Sequence, residues 1–179
     1  MREWTPRKID TVIIHRLLEV QKHHLQSGAE ERDALVFSSV DWVNVIPLDA
    51  DDTVILVRQW RYGTQQFSLE IPGGLVDPGE SHETAAGREL VEETGFRAGR
   101  LERLGGVHPN PALFDNRMSF WLATELEQLH EDPLGDGAEE LEVVRVPLAD
   151  IPELAQSGEI SHALALCGFY FLSISPGRE

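Results

Sequence analysis

A continuous apolar run that turns polar at its end is the strongest pattern of hydrophobic and polar positions along the chain. It occupies Val54 to Tyr62, VILVRQWRY, where four apolar residues precede Arg58, Gln59 and Arg61. A short run of this kind is typical of a buried β-strand. Comparable runs predict further strands at Thr11 to Val20, Ser68 to Ile71, Leu101 to Val107, Met118 to Glu125 and Leu141 to Val146. Leu35 to Asp41 and Val43 to Pro47 are predicted to be two more strands or one bent strand.

Helical periodicity is clearest between Ser81 and Thr94, and Gly95 stands where a left-handed C-cap ends a helix. Two further helices are predicted at Leu148 to Gln156 and Glu159 to Leu172. The polar stretch Gln21 to Asp33 is predicted to be a turn or an exposed hairpin tip. Because strands and helices interleave irregularly, the pattern predicts a mixed α/β sheet with helices on both faces.

The balance of charge narrows the classes of partner. The chain has 179 residues, 41% of them hydrophobic, and a formal net charge of −16. That length suits one domain, and so acidic a chain is not expected to bind nucleic acid. An anionic substrate would have to be met by a few arginines or by metal ions.

No apolar run is long enough to span a bilayer, and residues 1–10 lack the apolar core of a signal peptide. No membrane partner and a cytoplasmic location are therefore expected.

The helix predicted at 81–94 crowds Glu89, Glu92 and Glu93 within little more than one turn. At about 100° per residue, the three carboxylates lie within an arc of about 100°. Like charges at this spacing cost roughly 0.2–0.5 kcal/mol per pair, which a bound cation would offset. Hard oxygen ligands, in a chain with a single cysteine, favour Mg²⁺, with Mn²⁺ as the alternative. Taken alone, however, three glutamates fit an ordinary solvent-facing acidic helix better.

A loop rich in glycine and proline leads into this helix. Arg88 sits one turn before Glu92 and can pair with it, or it can reach Glu80 and fix the loop against the helix. Glycines let the backbone approach a ligand closely, and exposed carbonyls there can bind a metal. The combination indicates metal-assisted attack by water on a phosphoanhydride.

The full spacing resembles the Nudix box, with every defining position filled. The pattern runs from Gly74 through Glu80, Arg88-Glu89-Leu90 and Glu92-Glu93 to Gly95-Phe96. The resemblance to the Nudix hydrolase superfamily implies a Nudix α/β/α sandwich with a mixed sheet at residues 41–179. It implies a structural pair and a set of metal ligands: Glu80 with Arg88 as the pair, and Gly73 through its carbonyl, Glu89, Glu93 and, as a ligand or an outer carboxylate, Glu92.

The sequence around the box resembles the ADP-ribose pyrophosphatase and nucleoside diphosphate sugar hydrolase branch. LEIPGG is similar to its lead-in, VRQWRYG to its arginine-bearing strand, and Pro111 lies fifteen residues beyond Phe96, where a proline marks the ADP-ribose enzymes. The resemblance implies a pyrophosphohydrolase that cleaves ADP-ribose or nucleoside diphosphate sugars to a nucleoside monophosphate and a sugar phosphate. It also implies a small N-terminal β region, residues 1–40, that serves dimerisation in a homodimer. The implied substrate-binding residues are Arg58, Arg61, Glu70 and Pro111, with Arg61 on phosphate and Glu70 on a ribose or sugar hydroxyl.

The general base implied by the resemblance is a glutamate on a loop far beyond the box. Glu139 and Glu140, in GDGAEELEVV, are the candidates, and Glu92 is the fallback because it lies beside the metals. His162, at the start of the last predicted helix, can cap, pack or face the site, and a structural role is expected.

Two other functions stay open. One is a nucleoside triphosphate housecleaning pyrophosphatase, which Pro111 and the N-terminal strands disfavour. The other is a non-catalytic, ligand-sensing Nudix domain, which the intact box disfavours. Asn116 stands where many ADP-ribose enzymes have an acidic residue, although a one-residue shift would place Asp115 there. The final helix lacks the Asp-x-Lys pair of some sugar-nucleotide hydrolases. The base and the sugar therefore stay open.

Overall fold

A computed structural model describes residues 1–130 and 140–176 of the chain. Within those residues a short 3-10 turn at Leu148–Asp150 precedes the second helix. The strands and helices are β1 (Thr5–His15), β2 (Leu18–Ser27), β3 (Glu30–Ser38), β4 (Trp42–Pro47), β5 (Thr53–Arg61), β6 (Gln66–Glu70), β7 (Gly73–Leu75), α1 (His82–Thr94), β8 (Phe96–Val107), β9 (Met118–Gln128), β10 (Leu141–Pro147), α2 (Ile151–Ser157) and α3 (Ala163–Ser173).

The chain divides into two compact units, each described by itself. The N-terminal unit comprises Met1–Asp41 and Val107–Arg117, and the larger unit comprises Trp42–Gly106 and Met118–Glu179. Residues 107–117, which include Pro111, thus belong to the N-terminal unit, although the residues before and after them in the sequence belong to the larger unit.

The N-terminal unit contains an antiparallel sheet in the order β1-β2-β3. The predicted strand at 11–20 is wrong, because residues 16–17 form a turn inside it. The turn or hairpin tip predicted at 21–33 is confirmed only at residues 28–29, and the rest of that range is paired strand. Polar β2 is held as a strand because its charged side chains pair across the sheet, as His24 does with Asp10 and Asp33.

The larger unit contains two sheets, in the orders β10-β5-β6 and β7-β4-β9-β8. Strands β4 and β9 run parallel, while β4–β7, β5–β6 and β5–β10 are antiparallel. The predicted mixed sheet is confirmed.

Strands β4 and β5 and the first half of β9 are buried on both faces, which explains their continuous apolar runs. Successive side chains of a strand point to opposite faces. Val45 and Ile55 join a core cluster with Ala86 and Leu90 of α1, whereas Ile46 and Leu56 join a second cluster with α2 and α3. The second cluster consists of Ile46, Leu48, Val54, Leu56, Leu69, Ile71, Leu122, Val146, Ile151, Ile160, Ala165 and Leu172.

Helix α1 begins and ends where the sequence predicts. The Ser81 side chain accepts a hydrogen bond from the Thr84 backbone N–H at 3.1 Å. Gly95 takes a left-handed φ of 74° and its N–H donates to the Val91 carbonyl, as a C-cap requires. The helix that carries the clustered glutamates therefore has fixed ends.

Several other boundaries differ from prediction. Strands β8 and β9 extend beyond the predicted 101–107 and 118–125. The predicted helix at 159–172 begins only at Ala163, because the chain first leaves α2 through Gly158 and an extended His162. None of the helices in the described residues is both long and apolar enough to cross a membrane.

Candidate active site

Arg88 is the centre of an ion-pair network on helix α1. Its Nε and Nη2 donate to the two carboxylate oxygens of Glu80 at 3.1 and 3.0 Å. Its Nη1 donates to Glu89 at 2.7 Å and to Glu92 at 3.1 Å. Its Nη2 also donates to the Leu75 carbonyl at 2.9 Å. One guanidinium thus ties the preceding loop to the helix and lies between two of the clustered carboxylates.

Within this network, the surroundings of Glu89 disfavour its charged form. The hydrogen bond to Glu80, above all, raises the pKa of Arg88, which therefore stays charged. The same bond is the main cause that lowers the pKa of Glu80. Burial raises the pKa of Glu89, and its bond with Arg88 only partly offsets that effect. A further cation near Glu89 would therefore be favourable.

Glu93 faces the backbone that precedes the box. Its side chain is buried, and its Oε2 accepts a hydrogen bond from the Gly73 N–H at 2.9 Å. Asn44 fixes the same stretch from β4, because its Nδ2 donates to the carbonyls of Ile71 and Pro72 at 3.4 and 3.3 Å. The backbone beside Glu93 is therefore held from two sides.

The donor set around α1 fits a hard divalent cation. Carboxylate and backbone oxygens are the ligands that Mg²⁺ prefers. Gly74 lets the Glu89 carboxylate lie against the backbone, since a Cβ at this position would stand 2.5 Å from Oε1 of Glu89. Among residues 1–130 and 140–176, no three His, Cys, Asp or Glu side chains are arranged as a ready-made metal cluster. Glu89 and Glu92 are directed towards Arg88, and Glu93 towards Gly73.

A second polar cluster lies on the antiparallel pair formed by strands β5 and β6. Arg61 donates two hydrogen bonds of 2.8 Å, from Nε and Nη2, to the two oxygens of Glu70. Nδ1 of His162 lies 2.7 Å from Oε2 of Glu70, whose side chain is 1% exposed. Burial alone would raise the pKa of Glu70, but the hydrogen bonds and charges of Arg61 and His162 outweigh it and lower the pKa to about 2. We name these three residues the Arg61 cluster.

His162 is the member of the Arg61 cluster that sequence reasoning did not assign to the site. Its backbone is the N-cap of α3, but its side chain makes no capping hydrogen bond. Its one sequence signal is that it is a polar residue immediately before an almost wholly apolar helix. That signal does not reveal the partner on β6.

Among the remaining candidates in the described part of the chain, Arg58, Glu140 and Pro111 lie outside the Arg61 cluster. Arg58 pairs with Glu142 of β10 at 3.2 Å, and its odd separation from Arg61 puts it on the other face of β5. Glu140 is exposed, directly before β10, and Glu139 lies outside the described residues. Pro111 lies in the N-terminal unit.

Comparison with known proteins gives consistent matches. A NUDIX domain model matches residues 38–166. The chain is 34% identical to the ADP compounds hydrolase NudE of Escherichia coli, over 87% of this chain and 83% of that protein. It is 33% identical to an ADP-ribose pyrophosphatase of Bacillus subtilis, over 76% and 74% of the two chains. A crystal structure of an ADP compounds hydrolase superposes with a TM-score of 0.85 at 30% identity, covering 100% of this chain and 98% of that one.

Proposed function

The chain belongs to the Nudix family of hydrolases, enzymes that act on pyrophosphate bonds, and we propose that it cleaves ADP-ribose or a nucleoside diphosphate sugar. The products would be a nucleoside monophosphate and a sugar phosphate. The observation that carries the proposal is helix α1, on which Glu89 and Glu93 face the Gly73–Gly74 backbone while Glu92 pairs with Arg88. The names of the relatives, an ADP compounds hydrolase and an ADP-ribose pyrophosphatase, support the substrate class.

Nudix hydrolases generally need a divalent metal, and we propose Mg²⁺ here, with Mn²⁺ as the alternative. Glu89, Glu93, the Gly73 carbonyl and Glu92 would hold it. When bound, such an ion neutralises the diphosphate and makes water a better nucleophile. The charged form of Glu89, which is largely buried and whose pKa is raised by that burial, would be stabilised by the added positive charge.

The chain's own residues would bind the substrate and move the proton. Arg61, held by two hydrogen bonds on Glu70, presents a fixed guanidinium to a substrate phosphate. Glu70 would orient Arg61 in addition to the predicted contact with a sugar hydroxyl. Glu139 or Glu140 would take the proton from the attacking water, with Glu92 as the fallback. Glu140 is exposed, as a base that meets incoming water must be.

A substrate panel tests the proposed reaction. ADP-ribose, several ADP-, GDP- and UDP-sugars and the nucleoside triphosphates are incubated with enzyme and Mg²⁺, and phosphatase releases phosphate from the products. We expect release from ADP-ribose or a nucleotide sugar, and none after chelation with EDTA. Preferred turnover of triphosphates would indicate the housecleaning function. Binding of ADP-ribose without turnover of any substrate would indicate a ligand-sensing domain.

We propose in addition that the protein is a homodimer whose interface includes β1. Large apolar side chains are exposed along this strand, with Ile9 at 49%, Ile13 at 55% and Ile14 at 77%. Removing such surface from water contributes about 25 cal/mol per Å². Light scattering should give about twice the 20.0 kDa mass of the chain. We expect Ile13→Glu with Ile14→Glu to give monomer, and Gln156→Glu, at an exposed position of α2, to stay dimeric. A monomeric wild-type protein would contradict the proposal.

A further inference from the structure

Asn44 is a buried amide in an otherwise apolar strand. Strand β4 has the sequence WVNVIP, and Asn44 is 5% exposed between the fully buried Val43 and Val45. Among the described residues, the Oδ1 atom of Asn44 has no hydrogen-bond partner. Because a buried polar group with unused hydrogen-bonding capacity costs free energy, packing alone does not account for an amide at this position.

The amide nitrogen of Asn44 holds the backbone that leads into the box. Nδ2 donates to the carbonyls of Ile71 and Pro72 at 3.4 and 3.3 Å. Both partners are carbonyl oxygens, so the nitrogen of the amide, and not its oxygen, must face them. An ionised carboxylate of the same shape has no donor to offer there. Asn44 thus holds two successive peptide units directly before Gly73.

Asn44 also lies directly against Gly73. The two residues are opposite each other in the antiparallel pair of β4 and β7. A Cβ on residue 73 would overlap Nδ2 of Asn44 and the carbonyl oxygen of Val43, so only glycine fits there. The Asn44 amide therefore fills the space that a side chain on residue 73 would need, and it packs on the Gly73 backbone.

The pairing of β4 with β7 decides which way the Gly73 backbone groups point. In an antiparallel pair, hydrogen-bonded pairs of residues alternate with pairs whose backbone groups point away from the partner strand. The Val45 N–H donates to the Pro72 carbonyl at 2.8 Å, so the neighbouring pair, Asn44 with Gly73, is of the second kind. The Gly73 N–H accordingly donates to Glu93 at 2.9 Å.

The hydrogen bond of Leu75 agrees with this alternation. Strand β7 is the edge strand of its sheet, and Leu75 lies two residues beyond Gly73. Its carbonyl accepts a hydrogen bond from Nη2 of Arg88 at 2.9 Å. Glu93 and Arg88 of α1 thus bind successive outward-facing groups of β7. The alternation directs the Gly73 carbonyl to this same edge.

We propose that Asn44 is a positioning residue for the metal site, which holds the backbone at Gly73 so that the Gly73 carbonyl points to the side of Glu93 and binds the metal more tightly. The inference rests on the proposed function, because it takes that carbonyl to be a metal ligand. Residues behind the ligands fix the orientation of those ligands, and losing one weakens metal binding roughly ten- to a hundredfold. Asn44 itself would touch neither the metal nor the substrate.

Binding of Mn²⁺ without substrate, followed by the paramagnetic resonance signal of the free ion, tests the proposal. Asn44→Thr is the main variant, because threonine has nearly the same volume and suits a strand, while its hydroxyl ends one bond short of the amide nitrogen. We expect the Kd for Mn²⁺ to rise roughly ten- to a hundredfold. Asn44→Ala, which removes every side-chain donor, should show the same rise. Ile46→Val, on the same strand, is the matched control and should bind as the wild type does.

Steady-state kinetics separates positioning of the metal from a purely structural role. In Asn44→Thr we expect the Mg²⁺ concentration for half-maximal rate to rise by the same factor, with little change in kcat at saturating Mg²⁺. A wild-type Kd for Mn²⁺ in the folded Asn44 variants would overturn the inference and leave the proposed function intact. If Mn²⁺ binds with the expected ratios but no substrate is hydrolysed, the inference holds and only the proposed reaction fails. A wild-type protein that binds no Mn²⁺ would overturn both.

Discussion

Glu93→Gln is expected to lower kcat/KM at least about a thousandfold while the protein stays folded. The substitution removes the charge of a proposed metal ligand, and charge stabilisation by a bound metal contributes several kcal/mol to the transition state. It keeps the shape of the buried side chain, and the amide oxygen can still accept the hydrogen bond from the Gly73 N–H. The defect should therefore lie in turnover rather than in folding.

The measurement is kcat/KM with the best substrate of the panel, over a series of Mg²⁺ concentrations, with thermal unfolding in parallel. Glu83→Gln is the matched control, because Glu83 is exposed in the first turn of the same helix. We expect the control to keep wild-type activity. A wild-type rate for Glu93→Gln at saturating Mg²⁺ would show that Glu93 does not hold the metal.

The helix that carries the box could be predicted because the residues that define it lie close together in the sequence. Helix α1 has its N-cap, its glutamates and its Gly95 C-cap within one short stretch, so spacing alone fixes which side chains share a face. The buried strands could be predicted equally well, since a continuous apolar run such as that of β5 is typical of a strand that packs on both faces.

The polar strand β2 and the Arg61 cluster could not be predicted because they depend on contacts distant in sequence. Residues 21–27 have the composition of a turn and become a strand only because charged partners lie on both neighbouring strands. The contact between His162 and Glu70 likewise exists only once α3 has packed against the sheet. The separation of Arg58 from Arg61, in contrast, follows from strand alternation and was available from the sequence.

Glu70→Gln is expected to reduce stability by on the order of 3 kcal/mol at neutral pH, and this loss should disappear in acid. The ordinary pKa of 4.5 falls to about 2 in the folded protein, and each unit corresponds to about 1.4 kcal/mol. A carboxylate whose pKa is lowered on folding contributes stability above its unfolded pKa. That contribution is lost as the pH falls from about 5 towards 2, where Glu70 becomes protonated in both states.

Urea unfolding of the wild type and of Glu70→Gln, repeated from pH 7 to the most acidic pH at which both fold, measures this difference. Glu142→Gln is the matched control, since Glu142 also pairs with an arginine of β5 but is 64% exposed. Exposed pairs contribute little because water already solvates both charges, so the control should unfold as the wild type does. A gap between wild type and Glu70→Gln that stays constant with pH would mean that Glu70 acts through packing. The charge of Glu70 would then not be what holds Arg61 and His162.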